Sequence, residues 1–481
     1  MRLHVMPDIL AYYYYSDVIT LLINFIFLFH IAISIFVFSS KHIFKNLYTS
    51  NWVLYYFLSI CLLCLFYYLS KFTIKLQTTS LLLGDNKNVT LSFSNVFADT
   101  IVCLALITSM ISWVYLSERY MYKTHFFIFY FFIFIVCTIN MVSTPNLLLM
   151  FIFFEFIFLP SLFFVYQFGY SKKVDKTVSY LLKWTFSGSF LVLLAIAYMY
   201  SICFTLNIHD LSMIKFSEFE FTTLYVLLFF GFGVKIPIWP FYYWLTKVHV
   251  EAPAGFSIFL SGFLVKTAFF CLSVFFFLLK SKYIYIFSLT FVIWGVLDAS
   301  IRMWTSPDIK KLVAFATVQE MNLIILLLLV LEPSKYLMLN LFLLVHGLLS
   351  SLFFYLVDQV QKQYLSRNLN SISGAIYFLP NLSLIIWSSL LVFRGFPIFV
   401  KFFIEWELLS MLLINYKIIG VVIFLVFSIF GVLGFFRVWM SIMYGQPQNL
   451  GISRDILKLD LIIGFFLLSS LCLLSFCLLY F

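Results

Sequence analysis

Runs of about twenty apolar residues, separated by short polar breaks, recur along the whole chain. A helix of that length crosses the hydrocarbon core of a bilayer. Inside lipid every backbone N–H and C=O must bond within the protein, which restricts the fold severely. The expected fold class is therefore all-α: a polytopic membrane helix bundle of about fourteen transmembrane helices. The spans are expected near 14–38, 52–70, 97–117, 125–142, 147–168, 178–204, 221–247, 254–279, 284–303, 309–331, 336–357, 374–413, 417–444 and 459–481. Composition agrees, because 64% of the 481 residues are hydrophobic and only 10% are charged. A soluble chain has no way to bury that much apolar surface.

Two spans are interrupted. The run 221–247 contains Pro237 and Pro240, and the run 374–413 carries Gly395 and Pro397 at its middle. Backbone freed at such a break has to be buried in protein or line a wet cavity. Two broken spans, each carrying charge, point to a transport pathway built from repeated halves.

Ionisable residues at mid-span are costly unless paired or hydrated. Glu155, Lys235, Lys266, Glu320, His346 and the group Arg394, Lys401, Glu405 and Glu407 fall there. Lysine, glutamate and histidine exchange protons when neighbours and desolvation bring them towards neutrality. The set therefore reads as a proton-conducting series, and structural ion pairing between helices is the alternative. Lys183, Asp298 and Arg437 lie nearer loops and read as snorkelling or interfacial residues.

Several classes of chemistry lack a sequence signature. There is no GxGxxG after a strand, no phosphate-binding loop and no clustered cysteine motif for an iron–sulfur centre. Cys61 and Cys64 have CxxC spacing on an apolar helix face, where packing is the reading. The net charge of +10 reads as loop bias in a membrane protein rather than nucleic-acid binding. One alternate set of loops is rich in lysine and arginine, including Lys41, Lys123, Lys172, Lys173, Lys310, Lys311 and Arg367. That set is expected to face the compartment of synthesis, with both termini opposite. The one sizeable polar loop is expected near 71–96. No presequence is read at the N-terminus, which suits a protein made where it is inserted.

The motifs bring a resemblance. "WLTKVHVEAPAGFSIFLSGFLVK" (244–266) resembles the corresponding segment of the chain 4 family of respiratory complex I, NADH:ubiquinone oxidoreductase. "FFEFIFLPSLFFVYQFG" (153–169), "SPDIKKLVAFATVQEM" (306–321), "VHGLLSSLFFYLVDQV" (345–360), "GFPIFVKFFIEWELL" (395–409) and "FRVWMSIMYGQP" (436–447) resemble further family segments, in family order. The matches cover roughly residues 145 to 450. The resemblance implies an antiporter-like fold with two broken helices in inverted repeats. Its expected divisions are N-terminal helices 1–124, a first half 125–280 broken near 237, a second half 281–445 broken near 397, and a C-terminal helix 446–481.

The resemblance also implies roles. Glu155 and Lys235 would be an interacting pair, Lys266 the central relay, His346 a bridging relay and Glu405 the terminal group on the exit side. Glu320 stands where the family usually has histidine, and Lys401 where it usually has asparagine. Glu320 is expected between Lys266 and His346 as a replacement relay, with Lys401 or Arg394 offsetting its charge. Asp298 departs from an expected neutral residue, and Thr246 from a proline. The implied function is a proton-pumping membrane-arm subunit in the mitochondrial inner membrane, encoded within the mitochondrion. NADH, FMN, iron–sulfur clusters and ubiquinone would be used by other subunits, with no cofactor in this chain. Implied partners are the neighbouring antiporter-like chains 2 and 5 and inner-membrane lipids such as cardiolipin, with no nucleic acid. A cation/proton antiporter subunit and a structural membrane scaffold are the rival readings.

Overall fold

A computed structural model describes residues 86–119, 124–169, 173–214, 216–279, 285–330, 336–416, 418–446, 455 and 458–476. The expected spans 14–38 and 52–70, and Cys61 and Cys64 with them, lie outside the described residues. The described residues of each expected span from residue 97 onward lie mostly on helix. In chain order these are α1 (Asn86–Arg119), α2 (Thr124–Ser143), α3 (Leu147–Phe168), α4 (Val174–Cys203), α5 (Glu218–Lys235), α6 (Tyr243–Glu251) and α7 (Ala254–Leu279). The series continues with α8 (Tyr285–Thr305), α9 (Ile309–Val330), α10 (Tyr336–Tyr364), α11 (Pro380–Phe393), α12 (Val400–Tyr416), α13 (Ile418–Val426), α14 (Leu433–Tyr444) and α15 (Lys458–Phe476). Among the described residues six helices are long and apolar enough to cross a membrane: α3, α4, α7, α9, and most of α8 and α10.

The expected polar loop near 71–96 needs correction over its described part. Residues 86–96 form the first three turns of α1. The segment NKNVTLSFSN is polar but holds no proline or glycine, so nothing in it stops a helix from running on past the apolar stretch.

The breaks follow from proline chemistry. Helix α5 starts on a capping box, in which Ser217 and Glu220 each bond the other's backbone N–H. It stops at Lys235, because Pro237 has no N–H to donate and its ring disfavours helix in the residue before it. The freed carbonyls find partners inside the protein. Trp244 Nε1 donates to Val234 O at 2.7 Å, and Asn322 Nδ2 to Pro237 O at 3.2 Å. The second break separates α11 from α12. There Gly395 takes φ +69°, and Lys401 Nζ donates to Phe393 O at 2.7 Å. At each break, carbonyls left by the helix are thus bonded by side chains of the protein, as membrane depth favours.

Helices α9 and α10 are buried on all sides, and α7 almost so. They form the centre, with α3 and α4 towards the outside, where Phe163, Phe186 and Phe190 are exposed. A close crossing fixes the centre. A Cβ on Gly347 of α10 would lie 2.9 Å from the carbonyl oxygen of Gly262 on α7. A Cβ at Gly262 would lie 2.6 Å from Thr108 of α1. The two glycines let the backbones of α7 and α10 meet, with the Thr108 side chain of α1 packed against them. Gly262 also sits in a π-helical turn, Leu260–Leu264, within α7.

One corner is built twice. At Pro145–Asn146, Leu147 N donates to Leu206 O, Ile208 N donates to Pro145 O, and the Asn146 side chain caps α3. At Pro307–Asp308, Ile309 N donates to Arg367 O, Leu369 N donates to Pro307 O, and the Asp308 side chain caps α9. Asn146 bridges Asn207 as Asp308 bridges Asn368. Between the two corners the chain runs through α3, α4, the broken α5–α6, α7 and α8. That odd number of helical runs sets the corners at opposite ends of the bundle, as two inverted halves would require.

Candidate functional site: a buried series of charges

Helix α5 ends with its last side chain, Lys235, wholly buried. Its Nζ lies 2.5 Å from Glu155 Oε1 of α3, and the rings of Phe154 and Phe158 stand 4.3 and 4.6 Å from the ammonium. Ser189 of α4 donates to the same carboxylate oxygen at 2.8 Å. Glu155 keeps 28% of its side chain exposed, so this pair is dry on the lysine side and open on the carboxylate side.

Lys266 is also wholly buried, on α7. Its ammonium donates to the carbonyl of Ser261, in the π-helical turn just before it. A π turn displaces carbonyls from the regular ladder, which is how this one becomes available to a side chain. Lys266 makes no ion pair among the described residues.

The remaining charges gather at the second break. Lys401 of α12 is wholly buried, with Nζ 2.6 Å from Glu320 Oε1 of α9 and 3.5 Å from Glu405 Oε1 one turn on. His346 Nδ1 of α10 is 3.6 Å from the other oxygen of Glu320. The Phe393 ring lies 4.1 Å from the lysine ammonium. Four helix segments thus converge: α9 brings the glutamate, α10 the histidine, α12 the lysine and second glutamate, and the end of α11 a free carbonyl. His346 Nε2 and Glu405 Oε1 are buried without a hydrogen-bond partner. Such atoms are where linking water would bind.

Some expectations need correction. Arg394 is exposed, over the Phe436 ring at 5.8 Å, and does not offset Glu320. It caps the end of α11, where the chain turns outward, so its depth in the sequence says nothing about its direction. Glu407 is half-buried, two residues (about 200°) around α12 from Glu405. Lys310, expected among the loop lysines, is buried, and its Nζ donates to Ala252 O at 2.5 Å. Pro253 follows Ala252 and ends α6 there, which leaves that carbonyl for the lysine. Asp298 accepts from Tyr242 Oη and from Arg302 Nε at 3.0 Å. Lys183 and Arg437 are exposed.

Two features escaped the sequence reading. His249 is wholly buried, stacked on Phe354 at 4.4 Å, with neither ring nitrogen hydrogen-bonded. Its signal was a histidine in the last turn of a helix stopped by proline. At the far end of α10, Lys362 joins buried Asp358 at 3.7 Å and buried Asp460 of α15 at 3.4 Å. The i,i+4 spacing of Asp358 and Lys362 was its signal. Among the described residues no His, Cys, Asp and Glu group would hold a metal ion.

Known proteins resemble this chain over most of its length. Residues 144–431 match the family described as NADH:quinone oxidoreductase/Mrp antiporter, transmembrane. NADH-ubiquinone oxidoreductase chain 4 of Paramecium tetraurelia is 37% identical over 393 residues, covering 81% of this chain and 83% of that protein. The chain 4 of Rhipicephalus sanguineus is 29% identical over 343 residues, 68% of this chain and 76% of that one. A chain of respiratory complex I from Thermus thermophilus shares the fold, with a TM-score of 0.70 at 18% identity over 78% of this chain and 81% of that chain. So does a chain of the membrane-bound sulfane sulfur reductase, an archaeal respiratory membrane complex, with a TM-score of 0.69 at 18% identity over 80% and 64%.

Proposed function

Because the chain belongs to the NADH:quinone oxidoreductase/Mrp antiporter family, with chain 4 of NADH-ubiquinone oxidoreductase among its relatives, we propose that it carries protons across the membrane as a membrane-arm subunit of complex I, along its buried charges. Glu155 and Lys235 form the first station, Lys266 the centre, His346 and Glu320 the bridge, and Glu405 the outlet. One observation carries this reading: charges of both signs are buried from the first helix break to the second, and three atoms at the second break, Glu320 Oε2, His346 Nε2 and Glu405 Oε1, lack a hydrogen-bond partner. A scaffold would gain nothing from orphaned polar atoms, which are costly in a dry interior.

The energy comes from outside the chain. Oxidation of NADH by ubiquinone, using FMN and iron–sulfur clusters, takes place in other subunits. A change at a neighbouring subunit alters how tightly Lys235 is held by Glu155. Loss of the partner makes the buried ammonium costly, so its proton moves to Lys266. His346 receives it, and Glu405 releases it on the far side. The neighbours would be the antiporter-like chains 2 and 5, with cardiolipin-like lipids at the exposed faces, in the mitochondrial inner membrane. The working divisions are the helices 1–124, the halves 125–280 and 281–445, and the last helix 446–481.

Lys266→Met is the direct test. The assembled complex in sealed vesicles is expected to lose about tenfold or more of its NADH-driven proton uptake, a loss typical for a missing proton-transfer group. Pumping at the wild-type rate by the assembled variant would refute the relay.

Orientation has a separate test. The segment 171–176 and Lys311 are expected to be labelled from the matrix side of intact inner membranes, because basic loops stay on the side of synthesis. Labelling of 171–176 from the intermembrane side would invert the direction of transport proposed above.

A further inference from the structure

Lys401 is shared between two carboxylates. Its Nζ is 2.6 Å from Glu320 and 3.5 Å from Glu405; Glu320 is buried, and Glu405 keeps 14% of its side chain exposed. Among the described residues, Glu320 is ion-paired to Lys401 and His346, and Glu405 to Lys401 alone. With Lys401 charged and both acids ionised, the group carries one net negative charge. A single proton cancels it. That proton has two stable places: on His346, facing Glu320, or on Glu405.

Each place demands its own lysine position. With the proton on His346, the imidazolium neutralises Glu320, and Lys401 is needed at Glu405. With the proton on Glu405, that acid is neutral, and Lys401 is needed at Glu320. The lysine position in the structure is the second one, close to Glu320, with Glu405 Oε1 without a hydrogen bond. The displacement between the two is small, and the surroundings allow it. Phe393 O at 2.7 Å and the Phe393 ring at 4.1 Å hold the ammonium between the acids without fixing it on either. Gly395 leaves the room that Glu405 occupies, because a Cβ there would stand 2.8 Å from Glu405 Oε2.

We propose that Lys401 swings between Glu320 and Glu405 in the opposite direction to a proton passing from His346 to Glu405. In the step the N–H bond of the imidazolium breaks and an O–H bond forms on Glu405, the proton crossing through linking water. Lys401 keeps all three of its own protons. Every carboxylate has one positive partner before and after, so the transfer creates no uncompensated buried charge. Lys401 is thus a positioning residue, and it rests on the relay role of His346 and Glu405.

The test compares two variants in the assembled complex, with proton uptake by sealed vesicles as the readout. Lys401→Arg keeps the charge, but its planar fork binds both acids at once and cannot swing. It is expected to assemble and to pump about fivefold or more slowly, within the range of a lost proton-transfer step. The exchanged pair, Glu320→Lys with Lys401→Glu, keeps an ion pair but sets lysine against His346 and glutamate against Glu405. It is expected to assemble and not to pump. Wild-type pumping by either variant would overturn the swing and leave a static ion pair. If the exchanged pair fails to assemble, Lys401→Arg decides alone. Wild-type pumping by Lys401→Arg beside a dead Lys266→Met removes the swing only, whereas wild-type pumping by Lys266→Met removes the relay itself.

Discussion

Lys235→Ala is expected to leave the subunit in its complex and to abolish most NADH-driven pumping, by about a hundredfold if no other group replaces the lysine. Among the described residues Lys235 is the ion-pair partner of Glu155, and it is the last residue before the first break. Removing one member of a fully buried pair costs about 3–5 kcal/mol, because the other charge is left behind. Here the cost falls at or below the low end, since Glu155 is 28% exposed and keeps the Ser189 hydroxyl at 2.8 Å. Alanine also opens a void beside Phe154 and Phe158. Lys235→Met refills that void without restoring charge, so the two variants separate packing from proton transfer. Equal loss of pumping in both, with normal amounts of assembled complex, is the expected result. Wild-type pumping in Lys235→Met would remove Lys235 from the relay.

Glu320 carries the second large effect. Glu320→Gln strips Lys401 of its nearest counter-charge and leaves a buried ammonium with Glu405 at 3.5 Å. A cost of about 3–5 kcal/mol is expected, read as a lower unfolding midpoint or lower assembly, together with slowed pumping. Glu320→His is expected to be worse still alone, because imidazole and ammonium then share the site without a carboxylate between them. Joined to Lys401→Asn, the same change gives the histidine and asparagine common in the family. The double variant is expected to recover stability and a large part of the pumping that Glu320→His loses. Failure of Lys401→Asn to improve on Glu320→His would show that the two positions do not act as a pair.

That pairing was half legible. The sequence exposes Glu320 and Lys401 as two separate departures, because 81 residues separate them along the chain and nothing local links them. The fold turns them into one substitution spread over two helices. Spans from residue 97 were legible because lipid imposes length and apolarity directly. The breaks were legible because proline removes a donor wherever it stands. What depth in a sequence does not give is azimuth. Arg394 and Lys401 lie at similar depth, yet one is exposed and the other wholly buried. Lys310 was misread for the matching reason: the first turn of a helix after a short loop can still point inward. The π turn at Leu260–Leu264 has no residue signature in LSGFL, so the acceptor offered to Lys266 came only from the fold.

The doubled corner has a consequence for the chain's origin. Pro145–Asn146 and Pro307–Asp308 are the same device, held by matching backbone bonds and lying at opposite ends of the bundle. A unit of five passes, copied in tandem, necessarily inserts its second copy upside down. If the halves arose in that way, the single unit had to be able to enter a membrane in either direction. Such an ambivalent unit is nearly free of loop charge. The corner at Asn146 still is: TPNLLL and FTLNI hold no lysine or arginine. The corner at Asp308 carries Lys310, Lys311 and Arg367, with Arg367 Nε 3.8 Å from Asp308. Basic residues at one corner and none at the other give the two copies of this device opposite preferences for the sides of a membrane, so they are no longer interchangeable.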